Sequence, residues 1–355
     1  MLGSVSKYAF INAKLRGRIS KILSAEMFSK LAQASSVDAV LALLRDTQFE
    51  SLAEIYSATG DLKRVEFELL KQEMDLYRQI RRNVHDHSKQ VVDALLLRFE
   101  VDNLKNALRV FFDRAVLKRS VEGHIHYLVH EPVIHNVPVE AIVNAGSFEA
   151  IADLCDSTPY GRIIRQFCPD VQSNGTLFRL EIALDHFYYE NMLTCIKELT
   201  QSDRRIAQRL IGVEIDLQNI SWIMRFKSYY DMQMDATLDL LVPGGFHFQR
   251  SALGDLYQSQ NITGVLHDFV TDKNPGLTSL LSNAKSDTAS QLCLIQSILE
   301  EINKKEISRI LAGYPFSIGI ILAYFVLKQR EHAKIRKILI AKHYNRKQQR
   351  IEAML

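Results

Sequence analysis

The chain has 355 residues, of which 47% are hydrophobic and 24% are charged, and its formal net charge is +3. This length is more than one ordinary hydrophobic core needs, so two or three cores are expected. Seven prolines and fifteen glycines are too few for the frequent turns of a β-sandwich or barrel, which excludes those classes and favours helices.

The first third of the chain predicts four helices. Apolar residues recur at three- and four-residue steps from Tyr8 to Ala34, which predicts one amphipathic helix. Ser36 is predicted to cap a shorter helix that ends near Thr47. The stripe from Leu62 to Ile80 predicts a long helix, and a second long helix is predicted from about Ser88 to Leu117.

The middle third repeats this order after a different kind of segment. Residues 120–138 are β-branched and His-rich with two prolines, which predicts a linker with some extended structure. A short helix is predicted at 139–143, and Ser147 is predicted to cap the next one. Leu177 to Leu199 predicts a long helix, and Ser202 or Asp203 is predicted to cap another that runs to about Tyr230.

The last third opens with a strong turn signal, Pro243-Gly244-Gly245. Two helices are then predicted, one with a stripe from Leu292 to Ile310 and one from Phe316 to about His343. The eighteen uncharged residues 310–327 reach the lower limit of a membrane span. Because Pro315 interrupts them, the remaining stretch has the length of a buried core helix, which is the preferred interpretation.

One stretch occurs three times along the chain. Each copy begins with an acidic residue. An amide or a lysine lies three residues after the acid, and an apolar residue follows directly. In two copies an arginine lies nine residues after the acid. The residues of this repeated motif are Glu100, Asn103, Leu104, Arg109, Asp216, Asn219, Ile220, Arg225, Glu331 and Ile335, with Lys334 in the amide position of the third copy.

The spacing of the copies predicts three similar helical modules. Asn103 and Asn219 are 116 positions apart, and Asn219 and Lys334 are 115 apart, close to a third of the chain. A second landmark keeps the same register, because the Ser36 cap and its helix match the Ser147 cap and its helix, with a weaker third copy at Asn261. The predicted modules are residues 1–119, 120–235 and 236–355, and the fold class is all-α.

The repeated motif favours a structural role. Its acid and amide lie three residues apart on one helical face, where they suit helix packing and hydrogen bonds between modules. A catalytic group is rarely triplicated. The alternative is that some of these residues line a shared cavity.

Motifs for chemistry are largely absent. No glycine is followed by lysine, so there is no phosphate-binding P-loop, and neither Gly-x-Gly-x-x-Gly nor Gly-x-Ser-x-Gly occurs. The one candidate metal site consists of His124, His126, His130 and His135 beside Glu131. Because Pro132 follows Glu131, a helical two-His zinc motif cannot form there, and the preferred interpretation is a His-rich linker. No cofactor, small-molecule substrate or catalytic residue is expected.

The C-terminal end is basic. Residues 328–355 carry nine Lys or Arg against two Glu, a net charge of +7, which leaves −4 for the other residues. Such an end can attract anionic lipid, nucleic acid or an acidic protein, or it can be a solvated helix favoured by the helix dipole. Nucleic acid is disfavoured because the remainder of the chain is acidic and no recognised binding motif appears.

Several motifs together resemble one family, the central-stalk subunit of rotary V/A-type ATPases, which is the C subunit of the prokaryotic complexes and the d subunit of the eukaryotic ones. The matching stretches are 8–16, 36–49, 100–105 with Arg109, and 214–220 with Arg225 and Lys227. The third copy departs from the family pattern, because Lys334 replaces the usual amide and Ile340 replaces Arg. The resemblance covers essentially the whole chain.

The resemblance implies a funnel of three helical modules around a pseudo-threefold axis. It implies a non-catalytic, peripheral rotor subunit on the cytoplasmic face of the membrane, where it sits on the proteolipid ring, receives the central shaft subunits of D and F type and transmits torque for ion transport. Lys334, Arg336 and Lys337 are then candidates for contact with the ring or with lipid. The rival hypotheses are a helical-repeat adaptor that docks an acidic partner or anionic membrane through its basic end, and a metal-dependent enzyme built on the linker histidines.

Overall fold

The computed structural model describes residues 2–121, 123–230, 232–258 and 288–345. These residues form α-helices and one short 3-10 helix, and no strand occurs among them. The predicted all-α class is confirmed. The weak third copy of the second landmark, at Asn261, lies outside the described residues.

The chain forms two compact units, one made of residues 1–192 and 324–355 and the other of residues 193–323. The helices that lie wholly in the first unit are α1 (Leu2–Ile19), α2 (Ala25–Gln33), α3 (Val37–Leu44), α4 (Glu50–Thr59), α5 (Leu62–Arg81), α6 (Asp86–Ala115), a 3-10 helix (His124–Tyr127), α7 (Val139–Asn144), α8 (Phe148–Leu154) and α9 (Pro159–Asn174). The division into three modules stays a prediction.

The second unit contains the helices that follow. They are α11 (Gln201–Tyr229), α12 (Met234–Asp239), α13 (Arg250–Gln258) and α14 (Thr288–Ala312). Two helices have residues in both units, α10 (Phe178–Lys197) and α15 (Gly319–His343). Helices α11 and α14 pack against each other within the second unit.

Serine caps fix the starts of two short helices at the predicted positions. The Ser36 hydroxyl accepts a hydrogen bond from the Ala39 amide (3.1 Å), and the Ser147 hydroxyl accepts one from the Ala150 amide (3.2 Å). Both serines have extended backbone dihedrals, as an N-cap requires. The two caps are confirmed, and they begin α3 and α8.

A core of the first unit joins the start of the chain to its end. Buried side chains of α2, α3, α4 and α5 pack with Ile335, Ile338, Leu339 and Ala341 of α15 in one hydrophobic cluster. The sequence separation of these elements is close to the whole chain length. The last helix therefore completes the core around the first short helices.

The structure corrects two predictions of helix boundaries. The single helix predicted over residues 8–34 is two helices, α1 and α2, because Ser24 leaves the helical region and its hydroxyl caps α2 by accepting from the Met27 amide (3.1 Å). The cap of α11 is Thr200, which accepts from the Asp203 amide, and not Ser202 or Asp203. Asp203 instead accepts from the Ile318 amide (2.9 Å) within the second unit.

Four of the described helices were not predicted, α4, α9, α12 and α13. Helix α9 carries sequence signals at both ends, since Thr158 caps it, Pro159 occupies its first turn and Gly175 ends it with a left-handed φ of 62°. The predicted linker at residues 120–138 contains the 3-10 helix and otherwise irregular backbone in its described part. None of the described helices is long and apolar enough to cross a membrane.

Candidate functional site

The acid of the first motif copy is a buried hydrogen-bond acceptor. Glu100 lies in α6 and is 3% exposed. Its carboxylate accepts from the backbone amides of Ile134 and His135, from the His135 ring Nδ1 and from the Tyr160 hydroxyl, each at 2.7 Å. Burial and the adjacent Glu100 raise the pKa of Tyr160, so the phenol stays protonated and donates. These bonds hold the segment that precedes α7.

The acid of the second copy has the same kind of partner. Asp216 in α11 is fully buried, and its carboxylate accepts from three consecutive backbone amides, those of Phe246 (3.1 Å), His247 (2.7 Å) and Phe248 (3.3 Å). The chain approaches so closely that a Cβ on Gly245 would lie 2.2 Å from Asp216 Oδ1. Only glycine fits there. These bonds hold the segment that precedes α13.

The acid of the third copy also bonds to a segment that precedes a short helix. Glu331 in α15 is 1% exposed and accepts from the Leu23 amide (2.8 Å), two residues before α2 begins. Its other partners are side chains, the Gln48 amide group (3.2 Å) and the Lys328 ammonium. We name the buried acid of each copy, with the backbone amides it accepts from, a carboxylate anchor.

The amides of the first two copies make a second matching contact. The Asn103 side chain donates to the Val129 carbonyl (2.8 Å) and accepts from the Val129 amide (2.8 Å). Asn219 pairs in the same way with Val242, at 2.7 and 2.8 Å. Because both side chains are buried, each asparagine satisfies the two polar groups of one backbone residue away from water.

Lys334 replaces the amide in the third copy, and its contact differs. It is half-buried, with its Nζ 5.2 Å from the centre of the Phe28 ring. The apolar members of the motif, Leu104, Ile220 and Ile335, are all fully buried. The acid and the apolar residue of the motif are therefore buried in all three copies. The amide makes the same pair of backbone hydrogen bonds in the first two copies.

The arginines of the motif do not join the carboxylate anchors. Arg109 is exposed and forms a bidentate ion pair with Glu181 on α10, at 2.6 and 2.8 Å. Arg225 is exposed on α11. The Arg109–Glu181 pair joins α6 to α10.

A buried polar cluster surrounds the third carboxylate anchor. Lys328 is 1% exposed and lies over the Phe49 ring at 4.9 Å, while its ammonium bonds to Glu331. Next to it on α15, His332 bonds through Nδ1 to the buried Glu73 of α5 (3.0 Å). Sequence reasoning missed Glu73 and His332, and it counted Lys328 in the basic end. The three-residue spacing of Lys328 and Glu331 was the available signal.

The predicted basic surface is smaller than its sequence suggests. Its three candidate contact residues are half-buried, namely Lys334, Arg336 and Lys337. Burial raises the pKa of the Glu66 carboxyl, and the nearby Arg336 charge acts in the opposite direction on it. Residues 346–355, with three further basic side chains, lie outside the described part of the chain.

The linker histidines are not gathered into a metal site in the described part of the chain. No group of three or more His, Cys, Asp or Glu side chains there could hold a metal ion. His135 bonds to Glu100, and the His130 ring bonds to the Ile125 carbonyl (3.2 Å). His124 and His126 are exposed on the 3-10 helix. Of the four histidines, His135 is the one that bonds to the repeated motif.

Comparison with known proteins identifies relatives over nearly the whole chain. The family model described as ATP synthase (C/AC39) subunit matches residues 11–354. A relative from Methanocaldococcus jannaschii, named as the C subunit of an A-type ATP synthase, is 24% identical over 100% of this chain and 88% of its own length. Relatives with the same name from Methanosphaera stadtmanae and Methanosarcina acetivorans are 23% and 24% identical over 94% and 95% of this chain, and 84% and 89% of their own lengths.

Removal of the Asn103 side chain should destabilise the first unit. In Asn103→Ala, the amide and carbonyl of the buried Val129 lose their partners. Each unsatisfied buried group costs about 1–3 kcal/mol, so we expect the loss of both partners to lower the free energy of unfolding by about 2–6 kcal/mol. Urea denaturation measures this change, and hydrogen exchange at the Val129 amide should accelerate.

Asn106→Ala is the matched control, since Asn106 lies on the same helix and is exposed. Its effect should stay within about 0.5 kcal/mol. Equal effects of the two substitutions would show that the paired amide adds nothing to stability.

The Lys328–Glu331 pair should behave as a buried ion pair. Lys328→Met leaves the Glu331 charge buried without its cation, which typically costs about 3–5 kcal/mol. In the double variant Lys328→Met/Glu331→Gln no uncompensated charge remains, so part of that loss should return. Urea denaturation of the wild type, both single variants and the double variant gives the coupling free energy.

The control for this pair is Lys304→Met. Lys304 forms an exposed pair with Glu301 at the same three-residue spacing, so its loss should cost less than about 1 kcal/mol. If Lys328→Met costs no more than Lys304→Met, the buried pair does not hold α15 in the core.

Proposed function

The chain belongs to the ATP synthase (C/AC39) subunit family, and from that premise we propose that it is a non-catalytic rotor subunit of a V/A-type ATPase or ATP synthase. In this role it sits on the membrane proteolipid ring, receives the central shaft in a cavity and transmits torque between the two for ion transport. It acts as a peripheral subunit on the cytoplasmic face of the membrane.

The proposal rests on the family match, which covers residues 11–354. It is supported by the presence of a carboxylate anchor in each of the three motif copies. Torque passes through a subunit only if its parts do not yield against one another. In each copy, a buried charged acceptor joins a long helix to the segment before a short helix, and hydrogen bonds to charged groups are among the stronger ones in proteins, about 1.5–3 kcal/mol each. Such bonds suit a stiff adaptor and leave these acids without a role in catalysis.

The proposed partners are the shaft subunits of D and F type and the proteolipid ring. A repeated module provides several similar surfaces, which suits a subunit that surrounds a shaft on one side and meets a ring on the other. The basic residues Lys334, Arg336 and Lys337 of α15 are proposed to contact the ring or the adjacent lipid headgroups. Their partial burial leaves part of each side chain accessible.

Binding to the shaft tests the central part of the proposal. We expect the purified protein to form a one-to-one complex with the recombinant D- and F-type shaft subunits of its host, measured by size-exclusion chromatography with light scattering. Omitting this protein should also prevent the shaft from attaching to membranes that contain the ring. A folded, helical sample that associates with neither shaft nor ring would contradict the rotor function.

Charge reversal tests the proposed ring contact. The triple variant Lys334→Glu/Arg336→Glu/Lys337→Glu should sediment less with ring-containing membranes, and its residual attachment should depend less on salt than that of the wild type, because the charge attraction that salt screens has been removed. A control triple, Lys118→Glu/Lys197→Glu/Lys305→Glu, changes the charge equally at exposed sites elsewhere in the chain. Circular dichroism and thermal melting must show both variants folded. Equal sedimentation of both variants and the wild type would place the contact elsewhere.

A further inference from the structure

The C-terminal end of α9 carries a chemically reactive dipeptide. Asn174-Gly175 is the one Asn-Gly pair in the sequence, and Asn174 is the last residue of the helix. In such a pair the backbone nitrogen of the glycine can attack the side chain of the asparagine, because glycine has no Cβ to shield that nitrogen. Residues 172–176 are all exposed, so water reaches both groups.

The reaction that this dipeptide can undergo is spontaneous deamidation, with water as the co-reactant. The Gly175 nitrogen gives up its proton and bonds to Asn174 Cγ. The bond from Cγ to the side-chain nitrogen then breaks, and this nitrogen leaves as ammonia. Water opens the cyclic imide at either carbonyl, which leaves aspartate or isoaspartate at position 174. Both products replace a neutral amide by a carboxylate, and isoaspartate also lengthens the backbone.

The folded structure occupies both reacting groups with hydrogen bonds. The Gly175 N–H donates to the Val171 carbonyl (3.0 Å), and the Asn174 side-chain amide donates to Asp170 Oδ1 (3.0 Å). The attack therefore requires the last turn of α9 to open, which helix ends do more readily than buried helix centres. A Cβ at Gly175 would meet no atom within 4 Å, so the opened turn has room for the ring.

The product cannot restore the bonds of the closed turn. A carboxylate at position 174 has no N–H to donate to Asp170, and it places a like charge four residues after that acid. It also adds a negative charge at the end of the helix where the helix dipole is already negative. Arg179 bonds to Asp170 (3.2 Å) and offsets part of this repulsion. Deamidation therefore favours the open turn.

We propose that Asn174 is a site of spontaneous deamidation whose rate is set by opening of the last turn of α9, and that the carboxylate formed there keeps the turn open for more of the time. The modification is a slow, one-way change in the first unit, at the connection from α9 to α10. The inference does not depend on the proposed rotor function.

Peptide mass spectrometry of the folded full-length protein, incubated at mildly alkaline pH, tests the site. We expect the peptide that contains Asn174 to gain about 1 Da as the amide becomes an acid, and to separate into aspartate and isoaspartate forms. Asn136 is the matched internal control, because it is exposed outside the described helices and is followed by Val137. The branched side chain shields the valine nitrogen, so Asn136 should stay unmodified.

The dependence on turn opening is tested with the same chain in two states. Unfolding in guanidinium chloride removes both hydrogen bonds, so deamidation of Asn174 should be at least about tenfold faster than in the folded protein.

The effect of the new carboxylate is tested with Asn174→Asp. Hydrogen exchange at the Gly175 amide should accelerate about fivefold in this variant, because the like charge and the helix dipole both favour the open turn. Asn174→Gln is the control, since it keeps a neutral amide and should exchange near the wild-type rate. Circular dichroism confirms that both variants are folded.

Three results would overturn the proposal. A mass gain at Asn174 no larger than that at Asn136 would remove the site. Equal deamidation rates in the folded and unfolded chain would show that opening of the turn does not limit the reaction. Equal Gly175 exchange in Asn174→Asp and the wild type would show that the carboxylate does not act on the turn.

Discussion

A buried carboxylate that accepts hydrogen bonds from the backbone of a distant segment is the interaction on which this structure depends. An ionised acid is expensive to remove from water unless all of its oxygens are satisfied. Asp216 meets this condition with three backbone amides, Glu100 meets it with two backbone amides and two side chains, and Glu331 meets it with one amide, Gln48 and Lys328. The acid therefore fixes where the irregular segment lies, and the short helix that follows starts from a defined position.

The same bonds explain why irregular segments can be buried in a largely helical protein. Backbone amides outside helices need partners when water is excluded. Asn103 and Asn219 satisfy both polar groups of one residue each, and the neighbouring acids satisfy two or three more. Phe111 and Leu104 of the first unit are buried close in sequence to Asn103. The irregular segments can therefore be buried with the apolar side chains because their backbone groups are hydrogen-bonded.

This arrangement also suits the proposed role in torque transmission. The hydrophobic effect has no direction, so an apolar core alone resists sliding poorly. Hydrogen bonds to buried charges have defined geometry and lose much of their stabilisation when they are displaced. In the first unit, the core that α15 shares with α2 to α5 is accompanied by the Glu331 and Glu73–His332 contacts. A load on the last helix is therefore carried to the first helices by directional bonds as well as by packing.

The sequence by itself determined the helical class, the family, the repeated motif and the serine caps of α3 and α8. These depend on local periodicity, on spacing along the chain or on contacts within one turn of helix, so they can be read without coordinates. The spacing of the acid and the amide also predicted a structural role for them, but it did not identify their partners.

Only the tertiary structure decided what each of these residues contacts. The backbone partners of Glu100, Asp216 and Glu331 lie about 30 to 310 positions away in sequence, and no local pattern specifies them. The burial of Lys328 has the same origin. Lys328 is compatible with an exposed helix by propensity, and the packing of distant segments places it in the core. The break between α1 and α2 is marked locally, because the Ser24 hydroxyl caps α2 by accepting from the Met27 amide.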